Sequence, residues 1–297
     1  MVGVAVGGAV LCRSGWREEV ELHRVPQTSK CGSTLTITEG RGRRNLRLGS
    51  SVQSVALLSN DGTTTSVHAE EWTQLIALCA DAWLRASSAA SDAPRVSRAL
   101  FLGVGGGVIV RTLREMNDEL KIHCVELEPE VLDASQRFFG LPDDDECTTE
   151  VRDAAEFVVN RSTCDPLFDV IVVDCFTDEG LAPCVADGKL LRHLHDWLAE
   201  NGVCLVNTTW SRSRGDAARQ VASRLRDSFD AVYLLEASSC KNVIVISHQG
   251  VVRSKTEWRR ILECSLPHIS SRCPHISLTS LRRLDCVWSR YVTEDKV

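Results

Sequence analysis

Gly103, Gly105 and Gly107 alternate between an apolar run, Ala99-Leu100-Phe101-Leu102, and a segment in which Val108, Val110, Leu113 and Met116 recur at helical spacing. With Gly106 among them, the pattern reads as strand, turn, helix. Glycines there adopt dihedrals that other residues resist and let a ligand lie against the backbone, facing the N–H groups that open the helix. Such a turn also serves simply to pack a helix on a sheet. The spacing is G-x-G-x-G, whereas a dinucleotide fingerprint needs a glycine where Val108 stands. Twenty-three residues after Gly103, Glu126 closes a second apolar strand, Ile122 to Val125. A carboxylate there can accept hydrogen bonds from ribose hydroxyls, so a nucleoside is implied rather than NAD.

Two further strands end on acids. Cys147 to Val151 leads to Asp153, which either accepts the exocyclic amine of an adenine or caps the helix Ala154 to Asn160; the two roles are compatible. Phe168-Asp169-Val170-Ile171-Val172-Val173-Asp174 is the clearest strand, apolar as a parallel strand covered on both faces must be, and Asp178 follows it. Gly103, Glu126, Asp153 and Asp174 therefore reach one sheet edge, where ligands bind in open α/β sheets.

The elements that must hold them can be read in turn. Arg43 to Leu58 predicts a β-hairpin turned at Gly49-Ser50. Trp72, Leu75, Ile76, Cys79, Ala80, Trp83 and Leu84 predict a helix over Ala69 to Arg85 with a core-facing side, followed by a linker from Ala86 through Pro94. Pro129 opens a helix that continues through Phe138-Phe139 and stops at Gly140-Leu141-Pro142. Leu190 to Leu198 predicts a packed helix, Val203 to Asn207 a fifth strand, and Ala217 to Phe229 a helix before two pairing strands, Val232 to Leu235 and Val243 to Ser247. The fold class is α/β: a doubly wound, mostly parallel seven-stranded sheet, Rossmann-like, with a small N-terminal β-hairpin extension.

At 297 residues, 43% hydrophobic and 25% charged, the chain can bury a full core. A net charge of -6 argues against nucleic-acid binding by bulk electrostatics. No apolar run approaches the roughly 20 residues that span a bilayer. The 13 cysteines are odd in number and irregular in spacing, which reads as reduced thiols in an intracellular, cytoplasmic protein. Met1 to Leu11 lacks a basic stretch and reads as a strand or frayed terminus rather than a signal peptide. Residues 13–42 are polar, with a short strand at Leu35 to Ile37. Cys264, His268, Cys273, His275 and Cys286 match no zinc-finger spacing, so no metal is expected.

On these residues the sequence resembles the spermidine-synthase-like branch of the class I S-adenosylmethionine-dependent methyltransferases, over about residues 43–248. The carrying motifs are Val52-Gln53-Ser54, Gly103-Val104-Gly105-Gly106-Gly107, Val125-Glu126-Leu127-Glu128-Pro129, Phe138-Phe139-Gly140, Asp153-Ala154 and Phe168 to Asp174. Within that branch it resembles the C-terminal domain of the dual methyltransferases that modify elongation factor 1-alpha. The resemblance implies S-adenosyl-L-methionine as cofactor, with Gly103, Gly105, Gly106 and Gly107 beside its methionine part, Glu126 on ribose, and Asp153 and Ala154 at adenine. It divides the chain into an N-terminal extension (1–42), a hairpin-and-helix subdomain (43–95), a cofactor-binding methyltransferase domain (96–250) and a C-terminal helical tail (251–297). Spermidine synthases carry an Asp where Val108 stands, a Tyr-His pair near the place of Glu70-Glu71-Trp72, and two acids three apart where Asp174 and Asp178 are four apart. Those departures weaken the polyamine reading, since a cationic polyamine needs several fixed carboxylates.

The chemistry implied is in-line displacement at a sulfonium methyl, for which the protein supplies alignment and a polar site. An acceptor amine must first lose its proton, which is easier for an α-amine of pKa about 8 than for lysine at about 10.4. Asp174 and Asp178 are the candidates to orient that amine or take its proton, with Gln53, Asn207 and Trp210 as the substrate walls. The expected partner is a protein substrate, elongation factor 1-alpha among the candidates, without membrane or nucleic acid; homodimerisation stays open. A polyamine aminopropyltransferase and a silent interaction module are the alternatives.

Overall fold

A computed structural model of the chain describes residues 19–68, 70–89, 96–162, 164–209, 217–237, 239–249 and 253–272. The elements begin with β1 (Val20–Val25), β2 (Leu35–Gly40), β3 (Arg43–Leu48), β4 (Ser51–Leu58), β5 (Thr64–His68) and α1 (Glu71–Ala89). Next come β6 (Arg98–Leu102), α2 (Val108–Met116), β7 (Lys121–Glu126), α3 (Pro129–Ala134), β8 (Cys147–Val151), α4 (Ala154–Val159) and β9 (Phe168–Val173). After the short β10 (Phe176–Thr177), β11 (Gly180–Leu181), α5 (Pro183–Ala186) and α6 (Leu194–Trp197), the chain closes with β12 (Leu198–Thr209), α7 (Ala217–Leu225), β13 (Ala231–Glu236), β14 (Asn242–His248) and α8 (Lys255–Arg272).

Among the described residues, seven strands form one sheet in the order β13-β14-β12-β9-β6-β7-β8. β12, β9, β6, β7 and β8 are parallel, and β14 lies antiparallel between β12 and β13. This is the doubly wound, mostly parallel sheet expected from the sequence, terminal strand pair included. β6 leads to β7 and β8 on one side while β9 returns to the other, so the winding reverses between β6 and β9. A crevice opens beyond the carboxyl ends of those two strands. β9 is buried at every position, as a central parallel strand must be. Leu75, Ile76 and Trp83 of α1, Leu113 of α2 and Trp258 and Leu262 of α8 pack one face; Phe157, Leu191, Trp197, Val221 and Leu225 pack the other. No described helix is long and apolar enough to cross a membrane.

The N-terminal part is larger than predicted. The expected hairpin is β3–β4, turned at Gly49-Ser50, but β1, β2 and β5 join it in a five-stranded antiparallel sheet. Leu35, Ile37 and Leu46 are fully buried in a cluster with Val108, Val131 and Phe139, which seats this sheet on α2 and α3. Four helices also differ from their sequence reading. The segment over Leu190 to Leu198 is a 3-10 turn at Leu191–His193 followed by the single turn of α6, because Leu198 already pairs with Phe168 as the first residue of β12. The helix from Pro129 widens into a π turn at Ser135–Phe139, where the Ser135 hydroxyl donates to Val131 O at 2.7 Å and also bonds the Gly105 carbonyl. α7 stops at Leu225, short of Phe229, and α1 runs on to Ala89. Met1 to Leu11, residues 90–95, Trp210, Cys273, His275 and Cys286 lie outside the described residues.

Candidate functional site

The glycine turn is held where three strands end. Gly103 N donates to Val125 O at 2.8 Å, and Asp174 N donates to Leu102 O at 2.8 Å, so the turn is wedged between the ends of β7 and β9. A Cβ on Gly103 would lie 2.4 Å from the Asp174 carbonyl oxygen, and its φ of +82° is strained for any other residue. Gly107 precedes α2 in the left-handed region, and Gly106 N donates to Ser54 Oγ at 2.7 Å. That last bond ties the parallel sheet to β4 of the antiparallel one.

Glu126 is buried with its carboxylate turned to the same turn. Its Oε2 accepts from Val104 N at 2.9 Å and Gly105 N at 3.4 Å, and its Oε1 accepts from Glu128 N at 3.2 Å. Burial raises its carboxyl above the ordinary range, and these backbone bonds counter that. Asp153 caps α4, its Oδ1 accepting from Ala155 N at 2.7 Å and Glu156 N at 3.0 Å. Both cap bonds fall on one oxygen, which leaves Oδ2 clear of them. Asp174 accepts from Asn207 Nδ2 at 2.9 Å, and Asn207 Oδ1 in turn accepts from Asn242 Nδ2 at 3.0 Å. Burial pushes the Asp174 carboxyl up to about 6, with the Glu126 charge adding to the rise and the Asn207 bond opposing it.

These groups share one cavity of about 490 Å³, with Leu46, Leu48, Gln53 and Ser54 of the antiparallel sheet as its opposite wall. Gly103, Gly105, Glu126, Asp153, Ala154, Asp174 and Asn207 all line it; Gly106 and Gly107 do not, Gly106 facing Ser54 and Phe139 and Gly107 facing Leu141. Gln53 reaches across with its Nε2 3.5 Å from Thr177 O. Asp178 does not join them. The β10–β11 hairpin carries it out to solvent, where it accepts from Ser33 Oγ at 3.1 Å. Trp210 lies outside the described residues.

Sequence reasoning missed several lining groups. Glu70 and Thr73 sit where α1 begins, Asn242 opens β14, and Cys175 and Cys184 face each other across the β10–β11 hairpin. Each is brought in by a pairing or crossing that local pattern does not encode; for Asn242, the one available signal was a polar residue opening an apolar strand next to β12. Cys175 donates from Sγ to Leu102 O at 3.1 Å. Contact with Cys184, then burial, push the Cys175 thiol up, while the same contact draws Cys184 below its ordinary range. The described lining includes the acids Glu70, Glu126, Asp153 and Asp174 and no Lys, Arg or His. Such a cavity favours a cationic ligand, and its clefted, low-dielectric walls strengthen that preference.

Comparison with known proteins bears on this site. A family model described as "Spermine/spermidine synthase domain" matches residues 86–237, just over half of the chain. The chain is 28% identical over 198 residues to an eEF1A lysine and N-terminal methyltransferase of Danio rerio, a match covering 61% of this chain and 28% of that protein. It thus spans less than half the length of the curated relatives it matches. Its fold is similar to that of a probable spermidine synthase from Corynebacterium glutamicum, with a TM-score of 0.65 at 17% identity over 82% of this chain and 86% of that one. It is also similar to human methyltransferase-like protein 13 in complex with SAH, with a TM-score of 0.54 at 18% identity over 75% of this chain and 97% of that one.

Proposed function

The chain belongs to the spermine/spermidine synthase domain family, and from that membership we propose that it is an S-adenosylmethionine-dependent methyltransferase acting on a protein amine. The acceptor is a lysine side chain or an N-terminal amine, with elongation factor 1-alpha as the first candidate, as the likeness to the eEF1A methyltransferase suggests. The observation that carries this reading is the set of strand-end carboxylates, Glu126, Asp153 and Asp174, around one cavity that no described basic residue lines. When bound, S-adenosylmethionine supplies a methyl group on a positively charged sulfur.

The chain's own residues divide the work. Gly103 and Gly105 let the methionine part approach the backbone, and Gly106 and Gly107 shape the turn that presents them. Glu126, already oriented by its backbone donors, accepts from ribose hydroxyls with its remaining lone pairs. Asp153 keeps Oδ1 on the helix cap and offers Oδ2 to the adenine amine, with Ala154 beside the ring. Asp174 orients the acceptor amine and takes its proton, being a stronger base than an ordinary aspartate. Gln53 and Asn207 wall the acceptor side, and Asp178 holds the hairpin rather than the reaction. Val108, an apolar lining residue, offers nothing to the amine of a decarboxylated donor, which favours methyl over aminopropyl transfer.

Calorimetry with S-adenosylmethionine and its decarboxylated form tests the reading. Wild type is expected to prefer the carboxylated cofactor, Glu126→Ala to lose it, and labelled methyl to pass to purified elongation factor 1-alpha. Preference for the decarboxylated form would replace methyl transfer by polyamine synthesis, and binding of neither would leave an interaction module.

A further inference from the structure

Asp174, Asn207 and Asn242 form a chain of side chains across three neighbouring strands. Asn242 pairs with Thr209 in the β12–β14 ladder, while Asn207 pairs with Ile244 two positions along. Side chains two apart share a sheet face, so Asn242 is the diagonal neighbour of Asn207. Its Nδ2 donates to Asn207 Oδ1 at 3.0 Å, and Asn207 Nδ2 donates to Asp174 Oδ1 at 2.9 Å. A side-chain amide has one acceptor end and one donor end, so engaging the oxygen fixes where the NH2 points. While Asn242 holds the oxygen of Asn207, the NH2 must face Asp174. An Oδ1 that took up a proton would be a poorer acceptor for that NH2, which makes Oδ2 the favoured oxygen for protonation.

Burial and the Glu126 charge work the other way. Glu126 adds its charge from the end of β7, Glu70 and Asp153 line the same cavity from the starts of α1 and α4, and Cys175 and Cys184 flank it. The Asn207 amide is the counterweight to burial and to the Glu126 charge. Its orientation is set one residue further away.

We propose that Asn242 is a positioning residue for the transfer reaction, orienting Asn207 so that Asp174 presents Oδ2 to the acceptor amine. The proposal rests on Asp174 being the group beside that amine, as argued above. It needs no contact between Asn242 and the reacting atoms.

The test is read on the protein without cofactor or acceptor. The Asp174 carboxyl resonance, assigned in 13C-labelled protein by its loss in Asp174→Asn, is followed as pH is raised. Asn242→Asp keeps the shape but replaces the donor by an acceptor, so Asn207 must turn its NH2 toward it and its oxygen toward Asp174. The midpoint is expected to rise by about one unit or more, about tenfold in proton affinity. The new charge also acts through space, so the same change is made in an Asn207→Leu background, where the rise is expected to fall below half as large. Asn242→Ala, which adds no charge, is expected to give a smaller rise because Asn207 is then able to turn; it also serves if the Asp variant fails to fold. Equal rises in the two backgrounds, or wild-type midpoints in both Asn242 variants, overturn the proposal. Calorimetry with S-adenosylmethionine on the same wild-type sample separates the two failures: absent binding removes the methyltransferase reading and leaves the amide chain to be decided by the titration.

Discussion

Burial lifts the Asp174 carboxyl from an ordinary 3.8 to about 6, so the folded protein binds that proton more tightly than the unfolded chain does. The stability this adds is present below about pH 4 and is lost as pH rises through about 6. A two-unit shift corresponds to about 3 kcal/mol, and because the carboxylate faces an open cavity about 2 kcal/mol is the better expectation. Asp174→Asn is therefore expected to be more stable than wild type by about 2 kcal/mol near pH 7.5, with the gain gone near pH 4, and to lose transfer. Urea unfolding at the two pH values checks it, and a pH-independent difference would contradict it. The positions of Glu126, Asp153 and Asp174 at the cavity were legible because each closes or follows a short predicted strand, which sets its place at a strand end. Ser54 and Asn242 were not, because they arrive from strands paired across the sheets. Asp178 was a candidate beside Asp174, but a two-strand hairpin only a few residues long turns it outward.

At the scale of elements, the loop between β1 and β2 ties the antiparallel sheet to the end of β7. The buried Glu128 carboxylate accepts from Lys30 N at 3.0 Å and from Cys31 N, Glu130 accepts from Ser29, and Ser33 donates to Asp178. Glu128 N meanwhile donates to Glu126, so one strap reaches this cavity-lining acid through a single residue. Glu128→Ala orphans two partly buried amides, and a loss of about 2–3 kcal/mol is expected. Faster hydrogen exchange at Lys30 and Cys31 is the signature to measure, with Glu128→Gln keeping part of the protection; unchanged exchange would show that the strap is held elsewhere. The parallel strands and their helices were legible from apolar runs and helical spacing. β1 was not, because it is mostly exposed and carries little apolar pattern, and β2 was legible only over Leu35 to Ile37, whose buried side chains find their partners far along the chain. The helix read at 190–198 failed for the opposite reason: an apolar spacing that suits a helix was taken by tight turns and the start of a long strand.

Over the whole molecule, one face of the main sheet is closed by the last described helix. Trp258 of α8 is fully buried, stacked on Trp83 of α1 at 5.3 Å between ring centroids and set edge-on to Tyr233 of β13 at 5.4 Å. Asp81 of α1 adds an ion pair at 3.1 Å with Arg85 and lies 3.3 Å from His268 of α8. Trp258→Ala is expected to cost about 3–5 kcal/mol, visible as a lowered melting temperature; a change under about 1 kcal/mol would mean that α8 is an accessory. The cavity, in contrast, lies on the seam between the two sheets, where the facing thiols of Cys175 and Cys184 form part of its wall. Cys184, partly accessible and drawn to lower pKa, carries more thiolate than the buried Cys79, Cys124 and Cys204. Iodoacetamide is therefore expected to alkylate it ahead of them, and a nucleoside seated against Asp153 to slow that labelling while the exposed Cys164 and Cys264 react as before. The cavity wall carries its own occupancy gauge, readable by mass spectrometry for any candidate ligand before an acceptor has been found.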